Sequence, residues 1–246
     1  MQMFNKLVLC FVALCAALAA TADVVISGTR AVYNGKDREI TVRLTNGGKR
    51  PLLAQSWIDD GAAEQRPEEI KVPFTLTPPV ARLDAGKGQS LRIAYTQEAL
   101  PTDRESLFWL NVLEVPPKSK ATGDDANTLQ LAFRTRIKLF FRPVGLVGEA
   151  SAAPALLTWQ LQTDPADPHA VMLQVANPSP FHVSLAGIDV SAAGTKANAE
   201  AGMVAPHSQK QFALKGLKGK PAGPVTIDYH FINDFGGVVD GQTLLE

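Results

Sequence analysis

Cysteine is nearly missing from this chain, and the two that occur, Cys10 and Cys15, both lie in an N-terminal apolar stretch at residues 7–20. That stretch follows Lys6, is too short to span a bilayer, and ends at the small residues Ala20-Thr21-Ala22. It reads as a secretory signal, residues 1–22, cut before Asp23. Residues 23–246 then hold no thiol, which excludes a nucleophilic cysteine, a disulfide and a cysteine-ligated metal, although an export compartment permits disulfides. Stability has to come from buried apolar area. Net charge is absent as well: with Lys6 gone, the 24 basic residues become 23 against 24 acidic ones. Nothing in that balance draws the chain to nucleic acid or to anionic lipid. No later run approaches ~18 consecutive apolar residues, so no membrane insertion is expected once the signal is removed.

The motifs of chemistry are missing too. The four histidines, His169, His182, His207 and His230, are dispersed, with no spacing that favours a metal. There is no Gly-x-Ser-x-Gly elbow, no Walker-type loop and no Gly-x-Gly-x-x-Gly fingerprint. The paired carboxylates Asp59-Asp60 and Asp124-Asp125 sit in turn-like polar surroundings and read as solvated loop charges. No catalytic residue, metal or cofactor is expected, and the chain does not read as an enzyme.

What is present is β-pattern. Seven runs with two-residue alternation or β-branched and aromatic enrichment occur at 24–33, 38–46, 52–58, 72–80, 89–96, 106–115 and 129–141. Pro73, Pro78 and Pro79 mark the fourth run as an edge strand or one that switches sheets. The sixth is apolar on both faces, as a central strand would be, and Trp57 and Trp109 read as core. Arg142-Pro143-Val144-Gly145 ends the seventh run. It places the domain boundary so that residues 23–145 form one β-sandwich and residues 146–246 a smaller one. Shorter runs at 156–161, 170–176, 181–190, 210–214, 225–232 and 238–245 fill the second. No heptads, repeats or long amphipathic helices appear, so the class is all-β.

The seventh run is the unusual one. Leu129, Leu131, Phe133, Ile137 and Leu139 share one face, while Gln130, Arg134, Arg136 and Lys138 share the other, after a polar loop at 116–128. At ~3.3 Å per residue this run is about twice the usual strand length, so one end is expected to project beyond its own sheet. An apolar projection is an aggregation hazard unless a partner uses it.

Six stretches carry a family resemblance. They are Thr29-Arg30-Ala31-Val32-Tyr33, Leu53-Ala54-Gln55-Ser56-Trp57-Ile58, Thr77-Pro78-Pro79-Val80, Asp103-Arg104-Glu105-Ser106-Leu107-Phe108-Trp109, Ile137-Lys138-Leu139-Phe140-Phe141-Arg142-Pro143 and Ile232-Asn233-Asp234-Phe235-Gly236-Gly237. In this order the chain resembles the periplasmic chaperones of chaperone-usher pilus assembly, the PapD-like family. The resemblance implies two immunoglobulin-like β-sandwich domains joined at an angle, with a cleft between them. It implies that Arg30 and Lys138 anchor a subunit's C-terminal carboxylate, and that Leu129, Leu131 and Phe133 belong to a strand donated to that subunit. It further implies that Glu105, Arg142 and Asp234 form an interdomain ion network. The implied partners are pilus subunits and an outer-membrane usher in the periplasm, with no nucleotide or other cofactor, and the exposed strand leaves open a self-capping dimer. A carbohydrate-binding or adhesive sandwich is the alternative, but it calls for aromatic platforms and calcium loops, and the chain has three Trp and three Tyr. A pilus subunit is a second rival. It needs an N-terminal donor extension, whereas Asp23 leads almost directly into a strand.

Overall fold

A computed structural model describes residues 23–117, 131–165, 167, 169–192 and 194–245. The first domain contains β1 (Val24–Ile26), β2 (Arg30–Asn34), β3 (Ile40–Asn46), β4 (Leu52–Asp59), β5 (Phe74–Thr77), β6 (Val80–Leu83), β7 (Gly88–Tyr95), β8 (Ser106–Val115) and β9 (Phe133–Arg142). They form two sheets, in the orders β1-β3-β7-β5 and β2-β9-β8-β4-β6. Alternating side chains from both sheets meet in one core, where Tyr33, Leu44, Leu91, Ile93, Leu110 and Leu139 are fully buried.

Two expected runs are each split between the sheets. The first breaks at Gly28, whose φ of 96° is a conformation that side-chain-bearing residues rarely adopt. Before the break β1 pairs antiparallel with β3, and after it β2 pairs parallel with β9 in the other sheet. The fourth breaks at Pro78 and Pro79, so that β5 and β6 become edge strands of different sheets. β8 is central, flanked by β4 and β9, as its doubly apolar pattern implies.

The seventh run is shorter than expected. β9 starts at Phe133, so among the described residues the strand has ten residues; Leu131 precedes it, and Leu129 lies outside the described residues. β8 pairs with β9 from Phe133 to Phe141, whereas β2 pairs with it only from Lys138 to Arg142. Among the described residues, no strand covers the β2 side of residues 133–137.

The second domain comprises β10 (Thr158–Thr163), β11 (Ala170–Asn177), β12 (Val183–Ala192), β13 (Thr195–Ala199), β14 (Gly202–Val204), β15 (Ser208–Lys218), β16 (Val225–Ile232) and β17 (Val238–Leu245). They follow the order β10-β11-β15-β13-β12-β16-β17, with β14 on β12, around a second core that includes Leu173, Val175, Ile188 and Ile227. β13 and β14 were not expected. Thr195-Lys196-Ala197-Asn198-Ala199 has little β-propensity, and it is held as a strand by pairing along β12.

Candidate functional site

The parallel register of β2 on β9 places Arg30 directly opposite Lys138. Neighbouring strands lie ~4.8 Å apart, so the two cations emerge side by side into the space between the domains. Among the described residues each hydrogen-bonds to the second domain through a neutral group. Arg30 donates from a terminal nitrogen to the Ile232 carbonyl at 3.0 Å, and Lys138 Nζ donates to Ser184 Oγ at 3.0 Å. Arg30 Nε is buried and has no hydrogen-bond partner. Arg30 also sits 5.6 Å from the centre of the Phe140 ring, and Lys138 5.9 Å from that of Trp109. Among the described residues neither forms an ion pair.

Their surroundings disfavour charge. Burial lowers the Lys138 pKa from 10.5 to about 8, with repulsion from Arg30 and then Lys210 adding to it. Burial likewise lowers Arg30, against attraction from Asp234 and Glu105. Two partly desolvated cations with no carboxylate among the described residues could accept an anion, which would stabilise both charges through charge-assisted hydrogen bonds.

A second group spans the same cleft. Arg142 Nε donates to Glu105 Oε1 at 2.7 Å, and its two terminal nitrogens grip Asp234 at 2.6 and 2.7 Å. Burial alone would lower the Arg142 pKa, but the bonds to Asp234 and the charge of Glu105 outweigh it and raise it. Asp234 is carried by the β16–β17 turn, in which Asn233 Oδ1 accepts from the backbone N–H groups of Phe235 and Gly237. Gly236 there has φ of 84°, and a Cβ on it would stand 2.5 Å from Thr29 Oγ1, so the turn packs directly beside Arg30. His182, read from the sequence as having no special role, is part of this network. Its backbone N–H and its Nδ1 both meet Glu105 Oε2, at 2.9 and 2.8 Å. No motif signals it, because its partner is 77 residues away in the other domain. The cleft encloses about 290 Å³, lined by residues that include Arg30, Glu105, Arg142, His182, Ser184 and Asp234.

The odd-numbered face of β9 divides along its length. Ile137, Leu139 and Phe141 are buried in the first domain's own core. The same face continues through Thr135 to Phe133, both half-buried, and the residue before the strand on that alternation, Leu131, is 50% exposed. The apolar series therefore runs out of its home core along the uncovered edge.

The opposite face corrects two expectations. Asp59 is no solvated loop charge: it ends β4 with a side chain that is 0% exposed. Arg136 grips both of its oxygens, Arg134 lies 3.7 Å away, and Asn111 Nδ2 and the Gly61 N–H each donate to it at 2.7 Å. Burial pushes the Asp59 pKa up, but the bonds from Arg136 and Asn111 overcome this and hold it below the ordinary carboxylate value. Trp57 and Trp109 are not core residues. They are half-buried on the outer face, with the Arg134 guanidinium 4.9 Å from the Trp57 ring and that of Arg136 4.2 Å from Trp109. Asp124 and Asp125 lie outside the described residues.

Comparison with known proteins agrees with this architecture. Residues 23–147 match the family model for the N-terminal domain of PapD, a pili and flagellar-assembly chaperone, and residues 152–243 match the C-terminal domain of the pili assembly chaperone PapD. The chain therefore belongs to the PapD-like family of pilus-assembly chaperones, whose members are not enzymes. It is 46% identical over 241 residues to the probable fimbrial chaperone YadV of Escherichia coli K12, covering 96% of each chain. It is also 46% identical to the chaperone protein FimB/FhaD of Bordetella pertussis, covering 92% of this chain and 90% of that one. The crystal structure of the YadV chaperone superposes with a TM-score of 0.78 at 44% identity, over 91% of this chain and all of the other. The structure of Salmonella enterica SafA pilin in complex with the SafB chaperone matches with a TM-score of 0.71 at 28% identity, covering 93% of this chain and 99% of the matched one. The carbohydrate-binding alternative finds no support among these relatives.

Proposed function

We propose that this protein binds and stabilises pilus subunits by lending them the open half of β9. The observation that carries this reading is the coincidence of two ends: β2 stops covering β9 at Lys138, and there Arg30 and Lys138 stand together, paired among the described residues with a carbonyl and a hydroxyl and with no carboxylate. An extended segment laid along residues 133–137 continues the track of β2 and delivers its terminus to the two cations. The negative group that every polypeptide carries at an end is its C-terminal carboxylate. A carboxylate at Lys138 forces the incoming strand to run in the same direction as β9, since its last residue then lies beside the later part of β9. Main-chain hydrogen bonds hold it, and alternate side chains of the donated strand enter the subunit.

On this reading Phe133 and Leu131 leave the protein's own core in order to complete another, joined by Leu129. Fully burying such side chains contributes ~1.5–3 kcal/mol each, or roughly 4.5–9 kcal/mol for three before the costs of ordering. That is enough for capture and small enough for the strand to be exchanged without covalent chemistry. Glu105, Arg142 and Asp234, with His182, hold the two domains so that the cleft stays shaped around the anchor. A SafA–SafB pilin–chaperone complex among the structural relatives supports a subunit as the partner. We place the protein in the periplasm after removal of residues 1–22, with the division between domains after residue 145 and an outer-membrane usher as recipient of the complex. In the absence of subunit, two copies would cap each other along the same open edge.

Periplasmic co-expression with candidate subunits, followed by co-purification, tests the proposal. Wild type is expected to retain its subunit, while Arg30→Ala remains folded and retains none. Full retention by a folded Arg30→Ala protein overturns the anchor.

A further inference from the structure

Pairing along β9 leaves one question to electrostatics. A slip of one residue turns every side chain of an incoming strand to the wrong face and is rejected by hydrophobic pattern, but a slip of two residues preserves the alternation. Register in steps of two therefore has to be set by the carboxylate anchor. β9 carries three cations at that spacing on one face, Arg134, Arg136 and Lys138. If all three were available, the carboxylate would find three anchors ~6.6 Å apart.

The structure makes them unequal. Arg136 is clamped on the fully buried Asp59 and lies over Trp109. Arg134 gives Nε and one terminal nitrogen to Asn111 Oδ1 at 3.0 and 2.7 Å, and the other to the Ala63 carbonyl at 2.6 Å, with Trp57 beneath it. Asn111 is on β8, Asp59 ends β4 and Ala63 follows it, so both guanidinium groups are drawn across β8, away from the open edge. Among the described residues Lys138 hydrogen-bonds to the Ser184 hydroxyl and has no carboxylate partner.

Building on the proposed function, we infer that Asp59 is a positioning residue that sets the register of capture. By holding Arg134 and Arg136 against β8 and β4, it leaves Lys138 as the β9 cation that takes the incoming carboxylate.

The test uses the full mature chain and a synthetic peptide of about twelve residues, long enough to span the open edge. The peptide alternates Val and Thr, ends in a free carboxylate or an amide, and carries one photo-crosslinking residue at a fixed position. Wild type is expected to prefer the free acid by about tenfold or more, the range of a charge-assisted hydrogen bond, and to crosslink at one site. Lys138→Ala should lose that preference. In Asp59→Asn, a second crosslink is expected two residues nearer Phe133, and adding Lys138→Ala should now lose about tenfold less than it does in wild type, because Arg136 accepts the carboxylate. Further replacement of Arg134 and Arg136 by Gln should restore the single site. A unique, unmoved crosslink in folded Asp59→Asn, with the full Lys138→Ala loss, overturns the inference while leaving the anchor intact. Equal binding of acid and amide by wild type overturns both. Should Asp59→Asn not fold, Asp59→Asn with Arg134→Gln, which leaves Arg136 as the one released cation and removes one uncompensated charge, must show the crosslink two residues nearer Phe133, and an unmoved one there overturns the inference equally.

Discussion

Arg142 and Lys138 lie four residues apart on one face of β9, and both reach into the cleft, yet their electrostatic situations are opposite. Arg142 has a carboxylate from each domain and an elevated pKa. Lys138 has a hydroxyl, a neighbouring cation and a pKa depressed to about 8. A buried cation with its carboxylates in place is part of the framework, because breaking the pair would strand charge on both sides. A half-buried cation without one among the described residues fits the proposed anchor, since an arriving anion would offset the cost of keeping it charged. The same division runs through the apolar face of the strand, where Leu139 is sealed in its own core and Leu131 is left half exposed.

The contrast can be broken from either end. The largest effect is expected at Arg142: Arg142→Ala leaves buried Glu105 without its guanidinium and Asp234 without its partner, for a loss of about 3–5 kcal/mol in chemical denaturation and a looser cleft by small-angle scattering. Lys138→Ala should leave denaturation midpoints unchanged or raised, yet cost about 1.5–3 kcal/mol of subunit affinity, read by titration calorimetry. Similar behaviour of the two variants would erase the distinction. On the apolar face, Phe133→Asp is expected to weaken capture by about 1.5–3 kcal/mol with the domain still folded by circular dichroism. Melting would instead assign Phe133 to its home core. The smallest effect is in pH. The Lys138 pKa in the folded protein, about 8, is below the ordinary lysine value of 10.5, so the unfolded chain holds the proton more tightly between the two. The fold therefore gains stability as pH rises from about 8 to 10.5, and the contribution is lost as pH falls through 8. Carboxylate binding should weaken over the same rise, because the deprotonated amine offers no charge. Stability and capture moving in parallel above pH 8 would contradict the assignment.

Much of this was legible from residue order alone. Two-residue alternation marked β3 and β16 closely, a run apolar on both faces marked β8, and prolines at 78 and 79 announced an edge or a change of sheet. The family resemblance pointed to Arg30, Lys138, Glu105, Arg142 and Asp234, and the structure gathers all five at one cleft. Asp59 and His182 were misread for the same reason. A carboxylate next to Asp60 and Gly61 looks like a turn, and a lone histidine looks incidental, until strands distant in sequence bring Arg136 to one and Glu105 to the other. Trp57 and Trp109 were assigned to the core on residue type, whereas arginines from β9 cover them on the outer face. β13 escaped notice because pairing with β12, not local propensity, makes it a strand.

Composition and periodicity by themselves determined the all-β class, the division into two sandwiches and the apolar series that overruns β9, since each is a property of neighbouring residues and needs no knowledge of distant ones. Only the tertiary structure decided that β2 leaves β9 uncovered before Lys138, and which of four cations on one strand face are paired with a carboxylate of the protein. Hydrogen-bond partners and desolvation are set by segments tens to hundreds of residues away, and no local pattern encodes who arrives there.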